Sequence, residues 1–202
     1  MSYKGCEMKK TISTLIFLLA ACAPADLETS EEVIEEVEEV NTTVGFIETS
    51  DCDWTLGGKA CDFQLPDQDE ELWRLASEKG DLILLDFSAM WCGPCNMAAQ
   101  TQQEIQDRYE DQNFQYVTIL MADSQNDVVD ESDLDAWTSM HSIDTAPVLR
   151  GNRSMMYSSA VPHGFPISSW PTFVLIDRDG NVVYGLHGYS ESHIVEQIET
   201  NL

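Results

Sequence analysis

Two cysteines separated by two residues, Cys92-Gly93-Pro94-Cys95, have the spacing best suited to chemistry in this sequence. The pair follows an apolar run at residues 82–85 and precedes residues 97–109, whose pattern is typical of a helix. Cys92 would then lie at or beside a helix N-terminus. Unpaired N–H groups and the helix dipole favour a thiolate over a thiol at that place. The pattern therefore predicts that Cys92 is a nucleophile.

One helical turn further on, Cys95 would be more shielded and able to attack a mixed disulfide formed by Cys92. Pro94 suits the first turn of a helix because it has no N–H to leave unpaired. The alternatives are half of a zinc site or a purely structural disulfide. Zinc needs a second close cysteine pair, whereas Cys52 and Cys61 are nine residues apart. A disulfide in so small a ring removes little chain entropy. The pattern thus predicts thiol–disulfide exchange, with no metal and no cofactor besides the redox-active disulfide.

The elements around this pair predict an α/β fold. The apolar run before Cys92 has the pattern of a strand buried on both faces, and residues 114–121 have the pattern of the next strand. A strand, helix and strand in this order form a right-handed crossover, which places the Cys92 loop at the carboxyl edge of the sheet. Further along, residues 173–176 and 182–184 flank a glycine-containing turn and predict a hairpin.

The remaining segments predict shorter elements. Residues 70–79 have the pattern of a short helix or turn, and residues 190–198 that of a closing helix. The connection from 122 to 169 is too long to lack structure. Within it we expect a helix at 132–141, an extended piece at 146–149 and a second helix at 154–160.

Two stretches resemble landmarks of the thioredoxin superfamily. Residues 86–95, Asp-Phe-Ser-Ala-Met-Trp-Cys-Gly-Pro-Cys, resemble the thioredoxin active-site stretch, and residues 170–177, which begin Trp-Pro-Thr-Phe, resemble the family's cis-proline strand. An N-terminal anchor and a long insertion before the proline resemble the membrane-anchored TlpA/ResA branch. The resemblance implies a thioredoxin fold, with a central mixed β-sheet flanked by helices and an insertion before the cis-proline strand.

The resemblance also implies roles for single residues. Cys92 and Cys95 would be the catalytic thiols, and Asp86 would accept the Cys95 proton, its pKa raised by burial. The residues expected to contact the substrate are Trp91, Gly93, Pro94, Trp170 and Pro171. A cis Pro171 would leave the Trp170 backbone free to pair with an extended partner segment.

Three positions depart from the thioredoxin pattern. Ser88 stands where thioredoxins usually have tryptophan, and Asn96 where they often have a basic residue, so one local positive charge is missing. Trp170 precedes the proline where a smaller residue is commoner. The first two departures bear on the redox potential and the third bears on the choice of partner.

Cys52 and Cys61 flank a Gly57-Gly58 turn. In an oxidising compartment we expect them to form a structural disulfide that closes a short hairpin. The alternative is a second redox pair that relays electrons to Cys92. Nothing near these cysteines resembles a helix start that would activate either thiol.

The N-terminal region predicts export. Residues 1–22 resemble a signal peptide, because two lysines precede an apolar stretch at 12–20 that is too short to span a bilayer. Leu-Ala-Ala-Cys at residues 19–22 resembles a lipobox, so we expect a lipidated Cys22 that anchors the chain to a membrane. The alternative is ordinary secretion with Cys22 in the discarded peptide. Residues 23–49 read as an acidic tether and residues 50–202 as the thioredoxin-like domain.

The formal net charge of −26 makes nucleic acid an unfavourable partner. We expect a monomeric, extracytoplasmic, membrane-tethered reductase that acts on disulfide-bearing exported proteins and draws electrons from a membrane-embedded donor. Two alternatives remain, a thiol oxidant or isomerase and a copper carrier on the same fold. A copper carrier would need methionine or histidine ligands beside the cysteine pair.

Overall fold

The computed structural model describes residues 43–202. The predicted signal peptide, Cys22 and most of the predicted tether lie outside these residues. The described strands are β1 (Gly45–Glu48), β2 (Asp62–Pro66), β3 (Leu72–Arg74), β4 (Leu82–Ser88), β5 (Phe114–Leu120), β6 (Val148–Arg150), β7 (Thr172–Ile176) and β8 (Val182–His187). The helices are α1 (Gly93–Tyr109), α2 (Glu131–His141) and α3 (Glu191–Asn201), with short 3-10 turns at Leu75–Glu78, Glu110–Gln112 and Arg153–Met155.

Strand β4 lies at the centre of a five-stranded sheet with the order β6-β5-β4-β7-β8. It pairs in parallel with β5 and antiparallel with β7, so the sheet is mixed. Every residue of β4 is buried, because both faces of the sheet are covered. The parallel β4-α1-β5 unit places the loop after β4 at the carboxyl edge of the sheet, as the sequence predicts. The predicted thioredoxin fold is confirmed.

Alternate residues of β4 enter two different hydrophobic clusters. Leu82 and Leu84 pack with residues of α1 and α3 on one face. Ile83, Leu85 and Phe87 pack on the other face with the small antiparallel sheet β1-β2-β3. This period of two explains why the run is apolar throughout.

Three segments differ from the sequence-based expectation. Strand β1 lies inside the range assigned to the tether, because it pairs with β2 as the edge of the small sheet. Residues 72–78 form β3 and a 3-10 turn, since β3 pairs with β2.

The helix expected at residues 154–160 is wrong. A single 3-10 turn at Arg153–Met155 is followed by a turn in which Tyr157 N–H donates to Phe165 O and Phe165 N–H donates to Met155 O. The segments 155–157 and 161–165 approach closely at Gly164, where an added Cβ would lie 2.6 Å from the Met156 carbonyl carbon. Backbone pairing with residues 161–165 has replaced the helical hydrogen bonds.

Cys52 and Cys61 form a disulfide, with a Cα–Cα distance of 4.9 Å. The ring it closes contains a tight turn, in which Gly58 N–H donates to Thr55 O, and no strand. Immediately beyond the ring's turn, Ala60 N–H donates to Gly180 O in the β7–β8 turn. That turn lies at the end of the central sheet opposite the Cys92 loop, since β7 runs antiparallel to β4.

Within residues 43–202, no helix combines the length and the apolar character needed to cross a bilayer.

Candidate active site

Cys92 is the N-cap residue of α1, as its predicted position at a helix start requires. Its backbone is extended, and its sulfur accepts a hydrogen bond from Cys95 N–H at 3.2 Å. Pro94 occupies the first helical turn, where it leaves no donor unpaired. The first turn of α1 carries no acidic residue. No nearby carboxylate on this turn would therefore oppose a thiolate at Cys92.

The two active-site sulfurs are joined in a disulfide, so the structure shows the oxidised form. Cys92 is 4% exposed and Cys95 is fully buried. Cys95 packs with Ala99 of α1 and with Leu120 and Ala122 at the end of β5. This difference in exposure agrees with the expected order of events, in which a partner reaches Cys92 first.

Backbone and side-chain hydrogen bonds hold the loop that carries Cys92. Met90 N–H donates to Ala122 O at 3.0 Å, and Cys92 N–H donates to Ala89 O at 3.1 Å. The Asn96 amide donates to both Met90 O and Cys92 O at 2.9 Å. The sequence marks Asn96 only as a position without the basic residue that thioredoxins often have. In the structure it fixes the loop against the first turn of the helix.

Asp86 is a fully buried carboxyl group on β4. Ser88 Oγ donates to Oδ1 at 2.7 Å, and Tyr116 OH donates to Oδ2 at 3.2 Å. Burial raises the pKa of Asp86 to about 7, although both hydrogen bonds favour the carboxylate and lower that pKa. Beside this carboxylate, burial first and the Asp86 charge second raise the pKa of Tyr116 well above its usual range. A carboxyl group with a pKa near neutrality can both take up and release a proton.

The side chain of Asp86 lies on the face of the sheet that α1 covers. It follows Leu82 and Leu84 at the period of two, and both of these pack against α1 and α3. Thr118, which pairs with Asp86 from the neighbouring strand β5, donates a hydrogen bond to Gln102 of α1 at 2.8 Å. Cys95 lies on the same helix. Strand register therefore directs Asp86 towards the helix that carries the buried thiol.

The Trp170–Pro171 peptide bond is cis. Trp170 packs partly against the cluster that contains both active-site cysteines. Its ring and that of Trp91 meet edge to face, with centroids 6.3 Å apart, and Trp91 is 45% exposed. Within residues 43–202, neither the N–H nor the C=O of Trp170 makes a backbone hydrogen bond. The structure thus brings an open backbone edge and two indole rings beside the cysteine pair.

Among residues 43–202, the predicted site residues come together at one edge of the sheet, except for Cys52 and Cys61, and the predicted lipidation site Cys22 lies outside the described residues. Gly93 and Pro94 begin α1 between the two thiols. The Cys52–Cys61 disulfide lies at the other end, since the residues beside it contact the β7–β8 turn. Among the described residues there is no cluster of three or more His, Cys, Asp or Glu side chains able to hold a metal ion.

Two contributors to the site were missed by sequence reasoning. Tyr116 is thirty residues from Asp86, and only the parallel pairing of β4 with β5 brings its hydroxyl to the carboxylate. Arg153 lies with its guanidinium carbon 6.0 Å from the centroid of the Trp170 ring. No local pattern marks either residue. A phenol within an apolar strand, as at Tyr116, was the one available signal that a buried polar partner was needed.

Comparison with known proteins agrees with this geometry. The model of the AhpC/TSA family matches residues 56–185. Thioredoxin H2-1 of Oryza sativa subsp. japonica is 38% identical over 50 residues, which are 25% of this chain and 36% of that protein. The chain therefore spans about a third of the length of this curated relative.

Two solved structures share the fold. A putative thiol:disulfide interchange protein DsbE from Chlorobium tepidum is similar with a TM-score of 0.60 and 24% identity, over 74% of this chain and 99% of that one. The exposed lipoprotein thioredoxin Etrx1 of Streptococcus pneumoniae strain TIGR4 is similar with a TM-score of 0.55 and 26% identity, over 70% of this chain and 99% of that one.

Proposed function

We propose that this chain, which belongs to the AhpC/TSA family because that family's model matches more than half of its length, reduces disulfides of exported proteins while tethered to a membrane. It is a thioredoxin-like thiol–disulfide oxidoreductase. One observation carries the proposal. The Cys92–Cys95 disulfide lies at the N-terminus of α1, beside the unpaired backbone N–H and C=O of Trp170. The buried Asp86 lies on the face of the sheet that α1 covers.

The first step forms a mixed disulfide. In the reduced protein, the Cys92 thiolate attacks one sulfur of the client disulfide, a new bond joins Cys92 to that sulfur, and the client bond breaks. The second client sulfur leaves as a thiolate and takes a proton from water. An extended client segment pairs with the free N–H and C=O of Trp170, which holds the attacked sulfur near the N-terminus of α1. Trp91, Gly93 and Pro94 line the approach.

The second step releases the client. Cys95 gives its proton to the Asp86 carboxylate and attacks the Cys92 sulfur, so that the Cys92–Cys95 disulfide forms. The first client sulfur leaves as a thiolate and is protonated by water, and Asp86 later returns its proton to solvent. Two electrons have moved from the protein to the client. Asp86 suits this role because its pKa of about 7 leaves it partly ionised at neutral pH.

The most direct test is a trapping experiment. Cys95→Ser cannot complete the second step, so we expect a Cys92-linked adduct with a protein client to accumulate in cells. Non-reducing electrophoresis followed by mass spectrometry identifies the partner. Cys92→Ser/Cys95→Ser is the matched control and should trap nothing. If Cys95→Ser accumulates no more adduct than this control, the protein does not exchange disulfides with protein clients.

A reduction potential decides the direction of electron flow. A reductant has a low potential, and a value above about −150 mV for the Cys92–Cys95 pair, close to strong oxidants, would contradict a reductase and favour a thiol oxidant. Equilibration with glutathione buffers measures it. Continued turnover needs a dithiol donor embedded in the membrane to reduce the Cys92–Cys95 disulfide again.

The proposed location rests on the N-terminal sequence and on one neighbour. The pneumococcal structure is described as an exposed lipoprotein. Residues 19–22 of this chain resemble a lipobox, which would make Cys22 the acylated residue. We expect Cys22→Ala to move the protein from the membrane fraction to the soluble fraction or to leave it as an uncleaved precursor. An unchanged membrane fraction and an unchanged mass would contradict lipidation.

A further inference from the structure

Arg153 is a positive charge that the insertion before the cis-proline strand brings to the active site. Its guanidinium carbon lies 6.0 Å from the centroid of the Trp170 ring, at the limit of a cation–π contact. Trp170 in turn meets Trp91, the neighbour of Cys92. Arg153 itself is exposed to solvent. The cation therefore stands at the surface a client must touch, next to the backbone edge that is open for pairing.

Arg153 makes no ion pair within residues 43–202. The sequence has 36 acidic residues and only 10 lysines and arginines. Arg74, Arg108 and Arg150 each pair with a carboxylate. Arg178 donates to three backbone carbonyls.

One carboxylate lies near Arg153 without pairing with it. Asp127 lines the same shallow cavity of about 150 Å³ and stays beyond ion-pair distance of the guanidinium. Arg153 thus lies beside an aromatic ring and forms no ion pair with a carboxylate of residues 43–202.

A guanidinium held against an indole ring has a definite chemical preference. Stacking uses the face of the planar group and leaves its N–H donors free at the edge. Those donors match the two oxygens of a carboxylate better than any other protein side chain. The site therefore presents hydrophobic contact from Trp170 and Trp91 together with guanidinium donors that can bind one acidic group.

We propose that Arg153 is a specificity-determining residue that selects client segments carrying an acidic side chain within two residues of the attacked cysteine. The inference rests on the proposed reductase function. A client strand paired with Trp170 places its cysteine at Cys92 and its neighbouring side chains beside the Trp170 ring, where Arg153 stands. The acidic group recognised is a glutamate or aspartate of an extended polypeptide.

The overall negative charge repels acidic clients at long range. A preference for acidic clients would therefore indicate a local contact with Arg153. A protein of net charge −26 steers basic molecules towards itself and repels acidic ones. This long-range field is largely screened beyond about 8 Å at physiological ionic strength. An assay at that ionic strength therefore reduces the contribution of the overall charge relative to that of a direct contact with Arg153.

The test uses peptides that each contain one intramolecular disulfide and differ only beside the attacked cysteine, which carries glutamate, glutamine or lysine. Reduced protein, freed from reductant, is mixed with each peptide at about 0.15 M salt, and samples are quenched with acid for chromatography. We expect the glutamate peptide to react about threefold faster than the glutamine peptide, as for an exposed ion pair. The lysine peptide should be slowest.

Comparison of variants removes the intrinsic reactivity of the peptides. Arg153→Ala should bring the glutamate-to-glutamine rate ratio close to that of a small-molecule dithiol, and Arg153→Glu should favour the lysine peptide. Arg108→Ala is the matched control, because it removes an exposed arginine at the far end of α1, and it should keep the unsubstituted ratio. Circular dichroism checks that each variant is folded.

The outcomes distinguish a failure of the role of Arg153 from a failure of the proposed reductase function. Reduction of all peptides with the same rate ratios in the unsubstituted protein, Arg153→Ala and Arg153→Glu overturns the role of Arg153 and leaves the reductase standing. Failure of the reduced, unsubstituted protein to reduce any peptide overturns both. A ratio that changes equally in Arg108→Ala reports a general charge effect and also overturns the specific role.

Discussion

Asp86 shows how opposing effects set the chemistry of one side chain. Complete burial disfavours its charged form, while donors from Ser88 and Tyr116 favour it. Burial is the larger effect, so the pKa rises to about 7, and the two hydrogen bonds keep it from rising further. The two donors therefore keep Asp86 able to accept a proton at neutral pH.

The raised pKa of Asp86 predicts a specific dependence of stability on pH. In the unfolded chain the carboxyl group ionises near pH 4, whereas in the folded protein it keeps its proton until about pH 7. The folded state binds more protons in this window, so stability falls as the pH rises through it. Relative to the unsubstituted oxidised protein, Asp86→Asn should gain up to about 4 kcal/mol between pH 4 and 8, at roughly 1.4 kcal/mol per pKa unit.

Urea unfolding at several pH values measures this difference, and other titrating groups cancel from it. A difference that does not vary with pH would contradict a protonated, buried Asp86. Ser88→Ala removes the shorter of the two hydrogen bonds and should extend the fall in stability to higher pH. Ser190→Ala is a matched control, because the Ser190 side chain makes no capping hydrogen bond to α3, and it should leave the window unchanged.

Among the elements, the loop closed by Cys52 and Cys61 lies at the end of the central sheet opposite the Cys92 loop. Its ring ends beside the β7–β8 turn, while Cys92 lies at the opposite edge of the sheet. A seven-residue strand such as β4 spans about 20 Å. Exchange requires the sulfurs to touch, so this arrangement favours a structural role for the Cys52–Cys61 disulfide over a direct relay of electrons to Cys92.

The disulfide should therefore affect stability and not activity. Closing a ring of this size contributes roughly 2.7 kcal/mol in the chain-entropy model. We expect Cys52→Ala/Cys61→Ala to lower the free energy of unfolding by about that amount, as measured with urea, and to reduce peptide disulfides at the unsubstituted rate. A folded double variant that has lost this activity would show that the second cysteine pair takes part in electron transfer.

At the level of the entire chain, charge sets the conditions under which the domain is stable. A net charge of −26 makes a folded protein repel itself, because folding brings like charges closer together. Only three ion pairs occur among residues 43–202, and one of these links residues four apart on α1. Local pairing therefore offsets little of the repulsion.

Added salt should stabilise the protein by screening this repulsion. We expect the melting temperature to rise between about 0.01 M and 0.3 M sodium chloride, as the Debye length shortens from about 30 Å to below 8 Å. Each kcal/mol gained raises the melting temperature by about 2–4 °C in a domain of this size. Potassium chloride should give the same rise, since screening is not ion-specific. A melting temperature that is constant or falls with salt would contradict self-repulsion.

Short-range pattern was enough to predict most of the fold and the centre of the site. The apolar run of β4, the helix start at Cys92, the β7–β8 hairpin and α3 depend on residues close together in the chain, and all four are present. The role of Asp86 follows from the resemblance of residues 86–95 to the thioredoxin active-site stretch, and alternation along β4 places its side chain on the face that α1 covers. Spacing of residues in the sequence therefore dictated where the reactive pair would be.

Long-range pairing decided the rest. The register of the parallel strands β4 and β5 brings the Tyr116 hydroxyl to Asp86. The 3-10 turn at Arg153–Met155 brings Arg153 to the Trp170 ring. Ala60, next to Cys61, donates a hydrogen bond to Gly180, which lies 120 residues further along the chain. Each of these contacts depends on which distant segments fold against each other, and no spacing along the chain records that choice. The nucleophile Cys92 could be identified from neighbouring residues, whereas the hydrogen-bond partners of Asp86 and the cation beside Trp170 depend on the folded chain.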